Sequence, residues 1–355
     1  MSRVLVVDDS ALMRRLLTGV LSEAGHEVQT APNGAEGLQR LLDWQPDVVT
    51  LDINMPEMDG LTSLSLMMQA RPTPVVMVSS LTEKGAQATF EALALGALDF
   101  ITKPGGTISL SLEDIRVQLL DKVRTAARSR LRPARTPSPS PRPATAVRPR
   151  AAPALPAPAA AAPDGLVIVG VSTGGPRTLE DILPTLPADF PWPVLVAQHM
   201  PENFTGTFAR RMDSLCRLQV RECGATMPIE RGHVYIGRGG ADMVVCERLG
   251  RLAVQPRPES PAHPWHPSVD VLVDSAMKLV PAERLVGVQL TGMGDDGARA
   301  MTRLKQQGGR TVAESEETAV VFGMPAELIA QGGASLVLPA PEIGRQLLLW
   351  ARARG

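Results

Sequence analysis

Two sets of residues in this 355-residue chain have types and spacings suited to chemistry. The first set ends a series of apolar runs. Asp8 and Asp9 follow "RVLVV", Asp52 follows "DVVTL", Ser79 closes "PVVMVS" and Lys103 follows "DFIT". Three carboxylates gathered in one place repel one another, and an oxygen-preferring divalent cation such as Mg²⁺ relieves that repulsion. A lysine beside them complements a bound phosphoryl group, and a hydroxyl can hydrogen-bond it. One aspartate after a strand would do no more than cap a helix. Five such residues at the ends of four strands point to a pocket that accepts a phosphoryl group on a carboxylate.

The second set centres on "GVSTGGP", residues 170–176, between the apolar run "LVIV" and the helically spaced "RTLEDIL". A glycine-rich turn in that position either cradles a phosphate or lifts a serine hydroxyl into the open. A Walker-type loop needs a lysine after its second glycine, where this chain has Pro176 and Arg177, and the dinucleotide pattern G-x-G-x-x-G is absent. The stretch does fit G-x-S-x-G, with small residues around Ser172 that permit a sharp turn and backbone N–H groups near Gly174 open to an oxyanion. Ser172 as a plain helix cap is the competing reading.

A nucleophilic serine needs a base and the base an orienting acid. Of the five histidines, His26 reads as solvent-facing in the first half of the chain. His233 begins a strand at its amino end, and His263 and His266 read as loop packing in "PAHPWHPS". His199 follows "VLVAQ" at a strand's carboxyl end, as Ser172 does. Asp295 and Asp296 share a glycine-rich turn after "VGVQL", and residues alone do not say which would face the histidine. The order Ser…His…Asp differs from the Ser…Asp…His of ordinary α/β-hydrolases.

The elements that must position these residues alternate along the chain. In the first half, apolar strands are followed by turns and helical stretches. The first helix, in "ALMRRLLTGVLSEAG", has Leu12, Leu16, Leu17, Val20 and Leu21 as its expected apolar face and Gly25 as its stop. The alternation resumes in the second half with "LVIVGV", "VLVAQ", "HVYIG", "LVGVQL" and "RTVAE", and "DMVVCERLGRLAVQ" reads as a hairpin turning at Leu249-Gly250. Continuous apolar strands between helices predict parallel sheets covered on both faces, with function at the strands' carboxyl ends. Between the halves lies "PARTPSPSPRPATAVRPRAAPALPAPAAAAP", residues 133–163. Of its 31 residues 21 are Ala or Pro, four are Arg and none is acidic. It reads as an extended, partly polyproline-like tether.

Whole-chain properties exclude several classes. The formal net charge of −1 gives no basic excess for nucleic acid, and the second half lacks a helix-turn-helix cadence. No apolar run approaches the ~20 residues needed to cross a bilayer, and the N-terminus has no signal-peptide pattern. Cys216, Cys223 and Cys246 are odd in number and lack metal-site spacing, so reduced thiols and a cytoplasmic location are expected.

Through "VVDDS", "LDINMPEMDGL", "VMVSS" and "GALDFITKPGG", residues 1–125 resemble a response-regulator receiver domain. The resemblance implies a flavodoxin-like (βα)5 fold with Asp52 as phospho-acceptor. It also implies Mg²⁺ held by Asp9, Asp52 and the backbone carbonyl of Asn54, with Asp8 in the same pocket. Lys103 becomes the phosphoryl partner, Ser79 the switch hydroxyl and Phe100 the aromatic switch.

After a linker at 126–163, residues 164–355 hold "GVSTGGP", "AQHMPENFT", "HPSVDVLVDSA", "LTGMGDDG" and "ESEETAVVFGMP". Together these resemble the catalytic domain of the chemotaxis protein-glutamate methylesterase/protein-glutamine glutaminase (CheB) family, a doubly wound, mostly parallel α/β sandwich with a β-hairpin. The resemblance implies Ser172 as nucleophile, His199 as base, Asp296 as orienter, and the backbone near Met293 and Gly294, beside the serine turn with Gly174, as oxyanion donor. The implied substrate is a glutamyl methyl ester, or a glutamine, on the cytoplasmic part of a chemoreceptor. A chemotaxis histidine kinase is the implied phosphodonor, and no cofactor is implied for ester hydrolysis. An ester of another kind, or non-catalytic docking to a receptor, are the rival functions. Around "YIGRGGADM", where family members commonly show a proline and a histidine, this chain has Gly237-Arg238 and Asp242, and it has Ala300 where another glycine is usual.

Overall fold

The computed structural model describes residues 1–80, 82–103, 112–129 and 163–352. Nearly all of the tether lies outside these. The first domain runs β1 (Arg3–Val7), α1 (Ala11–Glu23), β2 (Glu27–Ala31), α2 (Gly34–Trp44), β3 (Val48–Asp52), α3 (Gly60–Ala70), β4 (Val75–Ser79), α4 (Glu83–Leu95), β5 (Asp99–Thr102) and α5 (Leu112–Arg128). The helix α5 thus continues past residue 125, where the sequence reading ends the domain.

The five strands form one parallel sheet in the order β2-β1-β3-β4-β5. Strands β3 and β4 are buried along their whole length, as their unbroken apolar runs require. Strand β2, "EVQTA", lies at the sheet edge, largely half-buried with only Ala31 fully buried, and carries no apolar run to announce it. The chain reverses its winding between β1 and β3, so their carboxyl ends flank a crevice. Asp8, Asp9 and Asp52 lie there.

One expectation for α1 fails. Leu12 is 75% exposed, whereas Met13, Leu17 and Leu21 are buried. Ser10 caps the helix by accepting from the Met13 N–H, which starts the helix so that Met13, Leu17 and Leu21, four residues apart, share the inner face. Leu16 and Val20 pack at the margin of the core.

The second domain runs β6 (Leu166–Val171), α6 (Gly175–Ile182), β7 (Val194–Gln198), α7 (Glu202–Leu215), β8 (Gln219–Cys223), β9 (Met227–Pro228), β10 (His233–Gly237), β11 (Asp242–Arg248) and β12 (Arg251–Arg257). It continues with α8 (Val269–Met277), β13 (Leu285–Gln289), α9 (Ala298–Gln306), β14 (Arg310–Glu314), α10 (Met324–Ala330), β15 (Leu336–Leu338) and α11 (Ala340–Arg352). Seven strands form a parallel sheet, β15-β14-β13-β6-β7-β10-β8, and β11-β12-β9 form a small antiparallel one. The hairpin turns at Leu249-Gly250 with φ of 51° and 71°, as the sequence predicts. Strand order reverses between β6 and β13, so the carboxyl ends of β13, β6 and β7 stand side by side. Asp296, Ser172 and His199 follow those three strands.

The two domains pack directly against each other. Phe90 of α4 stacks on Phe208 of α7 with ring centroids 5.4 Å apart. Phe100 of β5 stacks on Phe204 at 4.4 Å. All four rings are buried, and they join the apolar interiors of the two domains into one cluster.

Candidate active site

The serine turn is held from several sides. The N–H of Ser172 donates to the Thr291 carbonyl at 2.9 Å, and its own carbonyl accepts from the Gly175 N–H at 2.8 Å. That carbonyl also accepts from Gln198 Nε2 at 3.0 Å. Gly174 begins α6 at φ 80°, and a Cβ there would lie 2.6 Å from the Val320 side chain. Glycine therefore answers both a left-handed backbone and a closed space at this position. Ser172 itself stays half-buried.

His199 Nε2 lies 2.9 Å from Asp296 Oδ2. The other ring nitrogen, Nδ1, is buried and has no hydrogen-bond partner among the described residues. Of the two adjacent aspartates, Asp295 is exposed and Asp296 is buried, so the structure brings Asp296 to the histidine.

The Asp296 carboxylate sits on the amino end of α8. Oδ1 accepts from Ser268 Oγ at 3.0 Å and the Asp270 N–H at 3.0 Å, and Oδ2 accepts from the Val269 N–H at 2.7 Å. The unpaired N–H groups and positive end of a helix favour an anion there. Burial pushes this carboxyl's pKa up, but the bonds from His199, Val269 and Asp270 outweigh that and hold it below the ordinary value. Gln289 fixes the turn from beneath by donating to the Asp296 carbonyl at 2.9 Å. Gln198, Ser268 and Gln289 were not singled out in the sequence. Only "HPSVD", with its capping serine before a helical run, carried a local signal.

The turn after β13 runs beside the serine. A Cβ on Gly292 would come within 2.7 Å of the Ser172 Cβ, so the backbone of Met293 and Gly294 begins one residue beyond that close approach. Gly294 adopts φ 80° with its open side filled by the Trp265 indole. The Met293 thioether accepts from the Thr125 hydroxyl of α5, across the domain junction. The neighbour of Ser172 is also tied to the first domain: Thr173 Oγ1 donates to Asp99 Oδ2 at 2.6 Å. Asp99 Oδ1 takes Lys122 Nζ at 2.8 Å.

The remaining histidines behave largely as loop and edge residues. His233 Nδ1 lies 3.0 Å from the Arg231 carbonyl at the amino end of β10. His266 Nδ1 lies 3.0 Å from Asp242 Oδ1, and His263 Nδ1 is 3.5 Å from Ser268 Oγ. His26 is a correction: it is half-buried, not solvent-facing, and burial together with the amino terminus lowers its pKa.

In the first domain the acidic residues converge as their positions require. Asp8, Asp9 and Asp52 each offer a carboxylate oxygen, all within 4.8 Å of one another. Lys103 Nζ is 3.0 Å from Asp8 and 2.7 Å from Asp52. Burial, with Asp8 adding to it, raises the Asp52 pKa against the opposing pull of Lys103. The Asn54 N–H lies 3.4 Å from Asp52 Oδ1. Hard carboxylate oxygens gathered this closely suit Mg²⁺. Ser79 is buried and accepts from Thr89 Oγ1 at 2.8 Å, with its own hydroxyl turned to the Gly85 carbonyl at 3.3 Å.

Comparison with known proteins matches both halves. The CheB methylesterase family profile covers residues 167–347, and the response regulator receiver domain profile covers 4–112. A Rhodospirillum rubrum protein named protein-glutamate methylesterase/protein-glutamine glutaminase 3 is 55% identical over 99% of this chain and 96% of its own length.

The chain belongs to the CheB methylesterase family.

A second CheB relative, from Rhodopseudomonas palustris and named protein-glutamate methylesterase/protein-glutamine glutaminase 2, is 51% identical over 99% of each chain. Among solved structures, the Thermotoga maritima CheB methylesterase catalytic domain is 38% identical, with a TM-score of 0.50. It covers 52% of this chain and 97% of its own. The α/β fold and the pairing of a receiver with a methylesterase domain follow from these matches.

Proposed function

We propose that this chain is a phosphorylation-activated serine hydrolase that removes methyl esters from glutamate side chains of chemoreceptors, releasing methanol. Deamidation of receptor glutamines, with ammonia as the leaving group, uses the same machinery. The observation that carries the reading is the His199–Asp296 pair beside the serine turn, with one imidazole nitrogen on the buried carboxylate and the other unpaired.

In this reading Ser172 Oγ attacks the ester carbonyl carbon. Because Nε2 is engaged by Asp296, the proton from the serine passes to Nδ1 of His199. Asp296, kept ionised by the start of α8, fixes the tautomer and stabilises the imidazolium. The tetrahedral oxyanion is met by backbone N–H groups at Met293, Gly294 and Gly174, a contribution of about 3–4 kcal/mol when one such donor is removed from a serine hydrolase. The C–O bond to methoxide then breaks as the imidazolium returns its proton, and methanol departs. Water, deprotonated by His199, opens the acyl-enzyme and frees the receptor carboxylate and Ser172.

The first domain supplies regulation. Asp52 is the phospho-acceptor, Lys103 the partner of the phosphoryl group, and Ser79 and Phe100 the residues that respond to it. Asp8, Asp9, Asp52 and the Asn54 backbone would hold Mg²⁺, whose charge offsets that of the carboxylates and the incoming phosphoryl group. The packed aromatic junction, with Thr125 and Asp99 reaching Met293 and Thr173, supports obstruction of the site by the unphosphorylated domain. Phosphorylation shifts the population toward the open arrangement. A chemotaxis histidine kinase is the phosphodonor, and the cytoplasm is the location. Among the described residues no helix is long and apolar enough to cross a membrane.

Methanol release from methylated receptor membranes tests the reading. Wild type should release methanol faster with Mg²⁺ and a phosphoryl donor, and Ser172→Ala should release none. Ester hydrolysis confined to small esters would point to another substrate, and no hydrolysis at all to a docking protein.

A further inference from the structure

Three features of the sequence are left without a role by this mechanism: Trp265, His266 and the departure at Asp242. The structure joins them, with Trp265 over His199 and Asp242 on His266. The Trp265 indole lies parallel to the His199 ring, 4° between planes and 5.8 Å between centroids, an offset stack within the favourable range for aromatic pairs. The same indole leans on Gly294, where any Cβ would come within 2.7 Å of it. It therefore bridges the imidazole and the turn that follows β13.

The loop carrying the indole is pinned at its base. Asp242 is almost fully buried, and its Oδ1 holds both His266 Nδ1, at 3.0 Å, and the Ser268 N–H, at 2.8 Å. Gly237 leaves the space that Pro267 fills, since a Cβ there would sit 3.0 Å from the proline ring. The next residues, Ser268, Val269 and Asp270, are the ones that hold Asp296. One segment of six residues thus orients the acid at one end and covers the imidazole at the other.

We infer that Trp265 is a positioning residue for this hydrolysis. Its indole, anchored through the Asp242–His266 clasp, fixes the plane of the His199 ring so that Nε2 stays on Asp296 while Nδ1 serves Ser172. The inference rests on the hydrolase reading above. It gives Asp242 and Gly237 a purpose: they seat the loop that carries the indole. An imidazole held by one hydrogen bond can still rotate about the Nε2–Asp296 axis, and a parallel ring on its face removes that freedom. Correct orientation of the base is needed in both the acylation and the deacylation step, so the effect falls on turnover and not on receptor binding.

The test uses the full-length protein with Mg²⁺ and a phosphoryl donor. Methanol release gives kcat and KM. The rate of covalent labelling of Ser172 by a fluorophosphonate reports serine activation without any receptor. Trp265→Ala should lower kcat and the labelling rate in parallel, by about three- to tenfold, the worth of one aromatic pair, with KM unmoved. Trp265→Phe should restore most of both. Asp242→Ala, which frees the ring and also the Ser268 N–H beside the Asp296 cradle, should lose at least as much. The double variant should fall short of the product of the two single losses, because both changes release the same ring. Thermal melts of each variant separate unfolding from misorientation. Wild-type kcat and labelling in Trp265→Ala overturn the proposal, as does a rise in KM alone or a Phe variant no better than Ala. Methanol release that survives Ser172→Ala overturns the hydrolase reading itself, whatever the Trp265 variants do.

Discussion

Replacing Thr173 by Val removes one hydroxyl while keeping the side chain's shape, which isolates the hydrogen bond tying the serine turn to the receiver domain. That bond is 2.6 Å long and ends on a carboxylate oxygen. Both residues are 6% exposed. The other carboxylate oxygen of Asp99 is already taken by Lys122 and by the Phe100 N–H. In the docked arrangement Thr173→Val therefore leaves Oδ2 without its donor, whereas in the undocked one water reaches it. A hydrogen bond to a charged group contributes about 1.5–3 kcal/mol, so the balance should move toward the undocked form by about ten- to a hundredfold. Methanol release by the unphosphorylated protein should rise by that factor, up to the ceiling set by the phosphorylated rate. The phosphorylated rate should stay within about twofold, since the undocked form already dominates there. The assay is methanol release from methylated receptor membranes, with and without a phosphoryl donor, for wild type and variant side by side. An unchanged basal rate would refute the reasoning. So would an equal fall in both rates, which would assign the Thr173 hydroxyl to the chemistry instead of the junction.

Further outcomes follow from the same geometry. Asp52→Asn should retain the basal rate of methanol release and lose its response to a phosphoryl donor and Mg²⁺. Asp296→Asn should cut kcat by about 10⁴-fold with little change in KM, the scale seen when the orienting acid of a serine-protease triad loses its charge; steady-state kinetics at saturating receptor checks it. Because the Asp296 pKa is depressed in the folded protein, its contribution to stability is complete above its ordinary value and is lost as pH falls through the lower, folded value. Melting temperatures measured downward from about pH 5 should therefore fall less steeply in Asp296→Asn than in wild type. Gly174→Ala, which meets both a positive φ and the Val320 side chain, should destabilise the second domain by about 1–3 kcal/mol, read as a lower melting temperature, and should slow fluorophosphonate labelling of Ser172.

Much of this protein is written locally. Runs such as "RVLVV", "DVVTL", "LVIVGV" and "VLVAQ" form buried parallel strands because an apolar stretch of that length has few other ways to leave water. The residues just past them fall at carboxyl ends, which is why Asp8, Asp52, Ser172 and His199 stand out in the sequence as candidate site residues. The hairpin at Leu249-Gly250 and the start of α8 at Ser268 were equally local, each set by the backbone demands of a single turn or cap. Strand β2 escaped notice because an edge strand needs no apolar run. Leu12 was misjudged because the cap at Ser10, not the density of leucines, sets the phase of α1.

What the tertiary structure decided are the meetings between distant segments. The choice of Asp296 over Asp295 depends on how the turn after β13 presents itself to α8, and both residues look alike in sequence. Trp265 over His199, Asp242 on His266 and Thr173 on Asp99 join positions that only the packed sheets and the domain junction bring within reach. The chain's own text determined which groups lie at the ends of strands, because burial is a property of each short segment. Only folding determined which of those groups touch, because a hydrogen bond or a stacked ring depends on two places at once.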